Sequence, residues 1–270
     1  MPVPVGSGRL CVFFEAGPAR YCVEATSVLE IGTAPPDADT LHGVHTLRDL
    51  SQLFGGDPEQ RPGFALLFDV SPKLAVRIKR VIDVADVAHA PFFLLPSGLG
   101  DSLALMLRGA VLRADQLYLE LAAEMLSPQH LDPRALPQGR LCLSKESADK
   151  VLVFETEGRL YGIPMGFVSQ IVPQGEGFCR LPFRQAPVVG LLPHAQSLWP
   201  IYSIAGMAGE QAVTEKFIIL AEIAGRNLGI CAARAVGVRA NFEATSTPGE
   251  FVSRDVEEPV CLLDLEGMFS

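Results

Sequence analysis

Apolar and polar residues alternate in the same way in two stretches of the chain. Residues 151–164 place a short apolar run on each side of a polar turn, and residues 10–23 do the same. Two apolar runs around a Gly-containing turn predict a β-hairpin. Beyond the second hairpin, the apolar residues Phe167, Val168, Ile171 and Val172 have helical spacing, which predicts a short helical turn that Pro173 ends.

The two hairpins belong to an internal repeat. The pairs at one constant offset (154 − 14 = 140) are Phe14 and Phe154, Glu15 and Glu155, Tyr21 and Tyr161, Val23 and Ile163, Val28 and Val168, and Ile31 and Ile171. From residue 64 onward the offset is 153 to 154. The first copy has therefore lost about fourteen residues between Ile31 and Leu47, which is roughly two strands.

The rest of the chain predicts mainly short strands. The pattern indicates one half-exposed strand over residues 74–84, with Arg77 and Lys79 facing water, and a short helix over residues 47–54 that Gly55 ends. Residues 103–126 allow one long helix or a strand, a turn, a strand and a short helix. The repeat favours the second interpretation, because Leu119-Glu120-Leu121 aligns with Leu263-Asp264-Leu265 near the end of the second copy.

The repeat and the composition together predict two domains. We expect a degenerate first copy at residues 1–127, a proline-containing linker at 128–149 and a second copy at 150–270, with 49% apolar residues to fill both cores. The net charge of −9 argues against nucleic-acid binding and against docking on an anionic membrane. With no apolar run near the length of a membrane helix and no secretory signal, we expect no direct membrane insertion and a cytoplasmic protein.

Candidate chemistry is sparse. The six scattered cysteines are interpreted as reduced core thiols. His42 and His45 form a weak candidate metal pair, with polar loop residues as the alternative. Asp264 and Glu266 resemble paired carboxylates, but helix capping is the competing interpretation. No nucleotide or nucleophile motif is present, so we expect no enzyme, no cofactor and no metal.

The second half resembles the CheW-like domain of bacterial chemotaxis coupling proteins. The ordered motifs that carry the resemblance are Val153-Phe154, Tyr161-Gly162-Ile163-Pro164, Val168-Ser169-Gln170-Ile171-Val172, Gly190-Leu191-Leu192, Leu198-Trp199-Pro200-Ile201, Leu228-Gly229-Ile230, Val236-Gly237-Val238 and Leu262-Leu263-Asp264-Leu265. The family usually has Asn-Leu-Arg-Gly where this chain has Pro193-His194-Ala195-Gln196. Ala195 therefore replaces an arginine that helps to hold the receptor.

The resemblance implies a mainly β fold with tandem CheW-like domains. Each would be a pair of small SH3-like five-stranded β-barrels with short helices, and the first copy would be truncated. It also implies a non-enzymatic adaptor of a cytoplasmic chemosensory complex, associated with membrane receptor arrays. Its partners would be the regulatory domain of a CheA-type histidine kinase, the tip of a methyl-accepting chemoreceptor, or other CheW-like domains.

The resemblance places six residues at or near an apolar groove between the barrels that binds the partner. They are Val168, Gln170, Ile171, Ala195, Phe217 and Val238. For the apolar members, packing in the core is the competing interpretation. An alternative function from another class is a small-molecule-binding β-protein that uses the groove as its pocket.

Overall fold

The computed structural model describes residues 8–35, 37–54, 63–96, 99, 105–126, 141–175, 177–182, 187–209 and 215–268. Within these ranges the protein is mainly β, as predicted, and its few α-helices each span four residues. No helix in the described part of the chain has the length and apolar character needed to cross a membrane.

The first repeat is defined as residues 10–126, and its described residues form eleven strands. These are β1 (Leu10–Ala16), β2 (Ala19–Glu24), β3 (Val28–Thr33), β4 (Thr40–Leu41), β5 (His45–Asp49), β6 (Phe64–Phe68), β7 (Leu74–Ile78), β8 (Arg80–Asp86), β9 (Phe92–Phe93), β10 (Leu107–Arg113) and β11 (Gln116–Leu121). The helical segments are α1 (Leu50–Leu53) and the 3₁₀ turns Ala25–Ser27 and Ala123–Met125.

The second repeat is defined as residues 150–268, and twelve strands lie in the part of it that the structure describes. These are β12 (Lys150–Thr156), β13 (Arg159–Pro164), β14 (Val168–Pro173), β15 (Cys179–Arg180), β16 (Val188–His194), β17 (Ser197–Tyr202), β18 (Phe217–Ile223), β19 (Arg226–Ala232), β20 (Arg234–Ala240), β21 (Phe242–Ala244), β22 (Glu250–Ser253) and β23 (Val256–Leu262). The helical segments are α2 (Ile204–Met207), α3 (Leu265–Met268) and the 3₁₀ turn Met165–Phe167.

Each repeat forms two sheets, and the strand order is the same in both repeats. The two sheets that contain the hairpins run β8-β1-β2-β11-β10-β9 and β20-β12-β13-β23-β22-β21. The other two run β3-β6-β7-β5-β4 and β14-β18-β19-β17-β16-β15. Three sheets thus have six hydrogen-bonded strands rather than five, because strands of two or three residues extend their ends. In both repeats the last long strand pairs in parallel with the second strand of the hairpin.

This pairing corrects the predicted alignment of the two C-terminal strands. Tyr21 lies opposite Leu119, and its counterpart Tyr161 lies opposite Cys261. Glu120 therefore corresponds to Leu262, and not to Asp264. The expected strand followed by a short terminal helix is confirmed in both repeats. The sequence alignment failed because a charged residue in one copy replaces an apolar core residue in the other.

The helical turn predicted before Pro173 is wrong. A three-residue 3₁₀ turn ends at Phe167, and residues 168–173 form β14. The register of β14 against β18 shifts between Val168 and Gln170. An extra residue at a β-bulge breaks the period of two that a regular strand shows. The resulting apolar spacing imitates a helix, and β3 shows the same shift between Val28 and Glu30.

The shortening of the first repeat is smaller in structural terms than predicted. The hairpin of β4 and β5 is retained, although β4 has only two residues. Within the described residues between β3 and β5, no counterpart of β15 is present. The missing residues therefore shorten one strand and remove another, because a hairpin can lose length without losing its pairing.

Three other predicted elements can be compared with the structure. The hairpin over residues 107–121 is confirmed. The single strand predicted over residues 74–84 is two strands, β7 and β8, which belong to different sheets. The helix predicted over residues 47–54 is the end of β5 followed by α1, and Gly55 lies outside the described residues.

The chain divides into two compact units. The first comprises Met1–Leu136, Glu176–Arg184 and Leu191–Leu198, and the second comprises Pro137–Gly175, Gln185–Gly190 and Trp199–Ser270. Part of the expected linker is built into the second unit, where Ser144 N donates to Leu262 O and Leu143 forms a β-bridge with Leu263. The domain boundaries expected from the sequence stay a prediction.

Candidate partner-binding surface

Four of the six predicted surface residues lie together at one sheet edge. Val168, Gln170 and Ile171 are on the edge strand β14, and Phe217 opens the neighbouring strand β18 opposite Pro173. A strand at the end of a sheet leaves a row of backbone N–H and C=O groups without a ladder partner on its outer side. This edge is therefore able to receive another chain, provided that its side chains favour contact.

The side chains on β14 are not core residues. Val168 and Phe217 are half-buried and Gln170 is exposed. Ile171 is 37% exposed although it is a large aliphatic residue. Covering an exposed aliphatic side chain removes apolar surface from water, which is favourable. The β14 edge is hence suited to an apolar contact with a protein partner.

Val238 lies on the edge strand of the other sheet of the second repeat. It pairs with Leu152 on β12 and is 46% exposed. At the start of the same strand, Arg234 donates to the Glu155 carboxylate from Nε at 3.0 Å and from Nη2 at 2.7 Å. This two-point ion pair fixes β20 on β12. Val238 is therefore presented on a strand that is firmly held.

Ala195 lies apart from these strands, in the turn between β16 and β17. Its φ is +47° and that of Gln196 is +64°, so two consecutive residues have left-handed backbone conformations. This is the geometry of a tight two-residue hairpin turn. Ala195 belongs to the first unit, whereas the other five predicted residues belong to the second.

The first repeat carries corresponding exposed apolar residues that the sequence analysis did not single out. On β3 these are Leu29 and Ile31, and on β8 they are Ile82 and Val84, all of them exposed. Ile31 corresponds to Ile171 and Val84 to Val238 at the offsets of the repeat. The repeat itself was the available signal, because it transfers each predicted residue of the second copy onto the first.

The basic side chains of residues 77–80 are engaged within the protein. Arg80 donates to both oxygens of Glu15, from Nε at 2.9 Å and from Nη2 at 2.8 Å. Arg77 was expected to face water, but its guanidinium donates to the carbonyl oxygens of Pro35 and Ala38. Hydrogen bonding to Arg80 holds the pKa of the Glu15 carboxyl below its usual value. The pair of Arg80 and Glu15 therefore fixes the start of β8 on β1.

The cysteines are free thiols, as the scattered positions predicted. Burial raises the pKa of Cys179 to about 12. Cys11 and Cys22 are buried in the first repeat. The pKa of Cys22 is raised well above its usual value, most of all by its hydrogen bond with Cys11. A protonated, buried thiol is a poor nucleophile and packs as a small apolar group.

The remaining candidate groups have structural contacts. Asp264 caps α3, because its Oδ1 accepts a hydrogen bond from Gly267 N at 2.9 Å, which confirms the capping interpretation. His42 Nε2 lies 2.8 Å from Glu30 Oε1. In the part of the chain that the structure describes, no three His, Cys, Asp or Glu side chains are grouped so as to hold a metal ion.

Comparison with known proteins identifies the second half of the chain. The sequence model of the CheW-like domain matches residues 150–270. A crystal structure of the scaffolding protein TtCheW from Thermoanaerobacter tengcongensis aligns with a TM-score of 0.38 and 17% identity, over 46% of this chain and 90% of that one. No curated protein matches the chain. Residues 150–270 of this protein are a CheW-like domain.

Proposed function

We propose that this protein is a non-enzymatic adaptor of a bacterial chemosensory-type signalling complex. It would couple a CheA-type histidine kinase to chemoreceptors, or to other CheW-like domains, through protein–protein contacts on the cytoplasmic side of a receptor array. The family match of residues 150–270 supports the scaffold role. The observation that carries the contact itself is the pair of exposed aliphatic residues, Ile171 and Val238, on one edge strand of each of that domain's two sheets.

The chemistry of these edges favours a helical partner with apolar anchors. Ile171 is followed by Pro173, which has no backbone N–H and is tolerated only at a strand edge or end. Pro173 reduces the capacity of β14 to extend its ladder with an added strand. Side-chain burial then contributes more of the contact than main-chain pairing does, as when the apolar face of an amphipathic helix packs in a groove.

We extend the proposal to the domain arrangement, with a degenerate CheW-like domain at residues 1–127 and a full one at 150–270. Two domains on one chain can hold two partners near each other, because a short connection raises the effective concentration of the second contact. The retained strand order and the exposed Ile31 and Val84 of the first repeat support this extension.

Binding to purified partners tests the proposal. Calorimetry of the full chain with the regulatory domain of a CheA-type kinase, and separately with a soluble receptor-tip fragment, should give dissociation constants in the micromolar range, near −8 kcal/mol. Ile171→Asp and Val238→Asp should each weaken binding of the receptor tip at least tenfold, because each places a charge in an apolar contact. Both substitutions should leave kinase binding within about twofold.

The matched control is Leu94→Asp, which places the same charge at an aliphatic residue that is 76% exposed in the first repeat. All three variants should melt within a few degrees of the parent, since none removes a buried side chain. Absence of binding to both partners would refute the adaptor role. Equal weakening by Leu94→Asp would refute the assignment of the contact to Ile171 and Val238.

A further inference from the structure

A second, chemically different site lies in the first repeat. A cavity of about 320 Å³ is lined by Val44, His45, Thr46, Arg48, Pro72, Lys73 and Leu74. It lies where the turn between β4 and β5 meets the segment that leads into β7. Its volume is at the lower end of the range for cavities that bind small molecules. All of its lining residues are within the first unit.

The charge of this cavity has one sign. Arg48 and Lys73 are cations, and no lining residue is an Asp or a Glu. Among the described residues, no hydrogen bond or ion pair links Arg48, Lys73 or His45 to another side chain, whereas Arg9, Arg80, Arg108, Arg113 and Arg234 are all paired with carboxylates. In a chain of net charge −9, a cavity whose lining holds two cations and no carboxylate is a local positive site.

Comparison of the repeats shows that the basic residues of this cavity are particular to the first copy. Leu47 pairs with Ala75 as Ile201 pairs with Gly229, so Arg48 corresponds to Tyr202 and His45 to Trp199. Both aromatic residues are buried in the second repeat. The first copy thus has exposed or half-exposed basic groups where the second has core aromatics. The missing β15 counterpart and the two-residue β4 accompany this exchange.

We propose that this cavity binds a small organic anion through a carboxylate or phosphate group. The planar guanidinium of Arg48 can donate two parallel hydrogen bonds to such a group, and the ammonium of Lys73 adds a second positive charge. The Thr46 hydroxyl is a further donor in the lining. Val44, Pro72 and Leu74 form an apolar wall that suits the hydrocarbon part of the ligand. Val44 is 76% exposed and would be covered on binding.

Titration calorimetry of the full chain with sodium phosphate and with sodium malonate, at an ionic strength held constant with sodium chloride, tests this site. We expect saturable binding of at least one of the two anions, with a dissociation constant below about 1 mM. A preference for phosphate identifies a phosphate-bearing ligand, and a preference for malonate identifies a carboxylate. Absence of saturable binding of both anions would overturn the proposal.

Removing the two positive charges of the cavity together tests whether the anion binds there. Arg48→Gln combined with Lys73→Gln should weaken anion binding at least tenfold, and Arg48→Tyr, which restores the residue type of the second repeat, should weaken it similarly. The control combines Lys145→Gln with Arg254→Gln, which removes the same charge from exposed positions outside the cavity. The control should change the affinity by less than about twofold. An equal loss in the control would show general electrostatic attraction and overturn the site.

Discussion

The two repeats share one strand order, but the sheets that contain their hairpins are stabilised by different interactions. In the second repeat the core beside β23 is a continuous apolar cluster, formed by Val151, Val153, Leu160, Phe242, Phe251, Val260 and Leu262. In the first repeat the place of Leu262 is taken by Glu120, which is 0% exposed. Its neighbours include Cys11 and Cys22, where the second repeat has Val151 and Gly162.

The buried carboxylate of Glu120 is compensated by an ionic network. Arg9 donates to Glu120 Oε1, and Arg108 Nη1 lies 3.8 Å from the same oxygen. The same two arginines contact Glu24 at 3.3 and 3.2 Å, and Arg108 also reaches Glu124 at 2.8 Å. Glu120 Oε2 has no hydrogen bond among the described residues. The same fold therefore accepts either an apolar residue or a carboxylate at this core position, provided that the surrounding side chains are apolar or basic, respectively.

The largest loss of stability is expected when a carboxylate is placed at this core position without basic side chains around it. Leu262→Glu places a carboxylate in the apolar cluster of the second repeat with no arginine to pair with it among the cluster residues. We expect a loss of about 4 kcal/mol or more in the free energy of unfolding, because an unpaired buried charge is strongly unfavourable. Urea unfolding followed by the fluorescence of Trp199, the single tryptophan, measures it. A loss below about 1 kcal/mol would contradict the comparison.

A smaller effect is expected from the reverse exchange in the first repeat. Glu120→Leu replaces the buried carboxylate with the residue type of the second repeat, and Arg9 and Arg108 keep Glu24 and Glu124 as partners. We expect a change within about 1.5 kcal/mol of either sign, since apolar replacement of a buried ionic group is often neutral. Glu120→Ala leaves a cavity as well and should cost about 3 kcal/mol. Circular dichroism in urea measures both, and equal losses for the two variants would contradict this account.

The smallest effect concerns the ion pair that both repeats retain at their edge strands, Glu15 with Arg80 and Glu155 with Arg234. The pKa of Glu15 is lowered in the folded protein, first by the hydrogen bond from Arg80. Its contribution to stability is therefore present above the unfolded pKa of about 4.3. It is lost as the pH falls through the lower folded value.

Arg80→Gln should remove this part of the pH dependence. Melting temperatures of the parent and the variant, measured between pH 7 and pH 3, should differ most above pH 5 and converge at the acidic end. Arg254→Gln, which removes an exposed arginine from the turn between β22 and β23, is the control and should keep the parent's profile. A difference between parent and Arg80→Gln that stays constant with pH would show that Glu15 is not the group responsible.

Much of the fold followed from the residue pattern. The hairpin of residues 151–164 is predicted by two apolar runs around a Gly-containing turn. In the structure the turn residues Glu157 and Gly158 have the left-handed backbone that a tight hairpin needs, with φ of +52° and +75°. The internal repeat then transferred the hairpin of one copy to the other. The β14 strand was missed because its bulge depends on pairing with β18, which local spacing does not show.

Some of the candidate site residues could likewise be predicted from the sequence, and others could not. The resemblance predicted Val168, Gln170, Ile171 and Phe217 as surface residues, and this stays a prediction. The pairing of β14 with β18 places Phe217 opposite Pro173, at the end of the same edge. The cavity at Arg48 and Lys73 was not predicted, because the two residues are 25 positions apart (73 − 48 = 25) and meet only through the packing of β5 beside β7. Ala195 was predicted from the family pattern, but the structure assigns it to the first unit.

The sequence by itself determined the mainly β composition, the two copies and the hairpins, since each depends on side-chain alternation and turn residues close together in the chain. Tertiary structure alone decided that Glu120 occupies the place of Leu262 and that Arg48 and Lys73 share one cavity. The physical reason is that registers between distant strands are set by the packing of whole sheets. A single charged residue can then occupy a core position when arginines from other strands lie beside it.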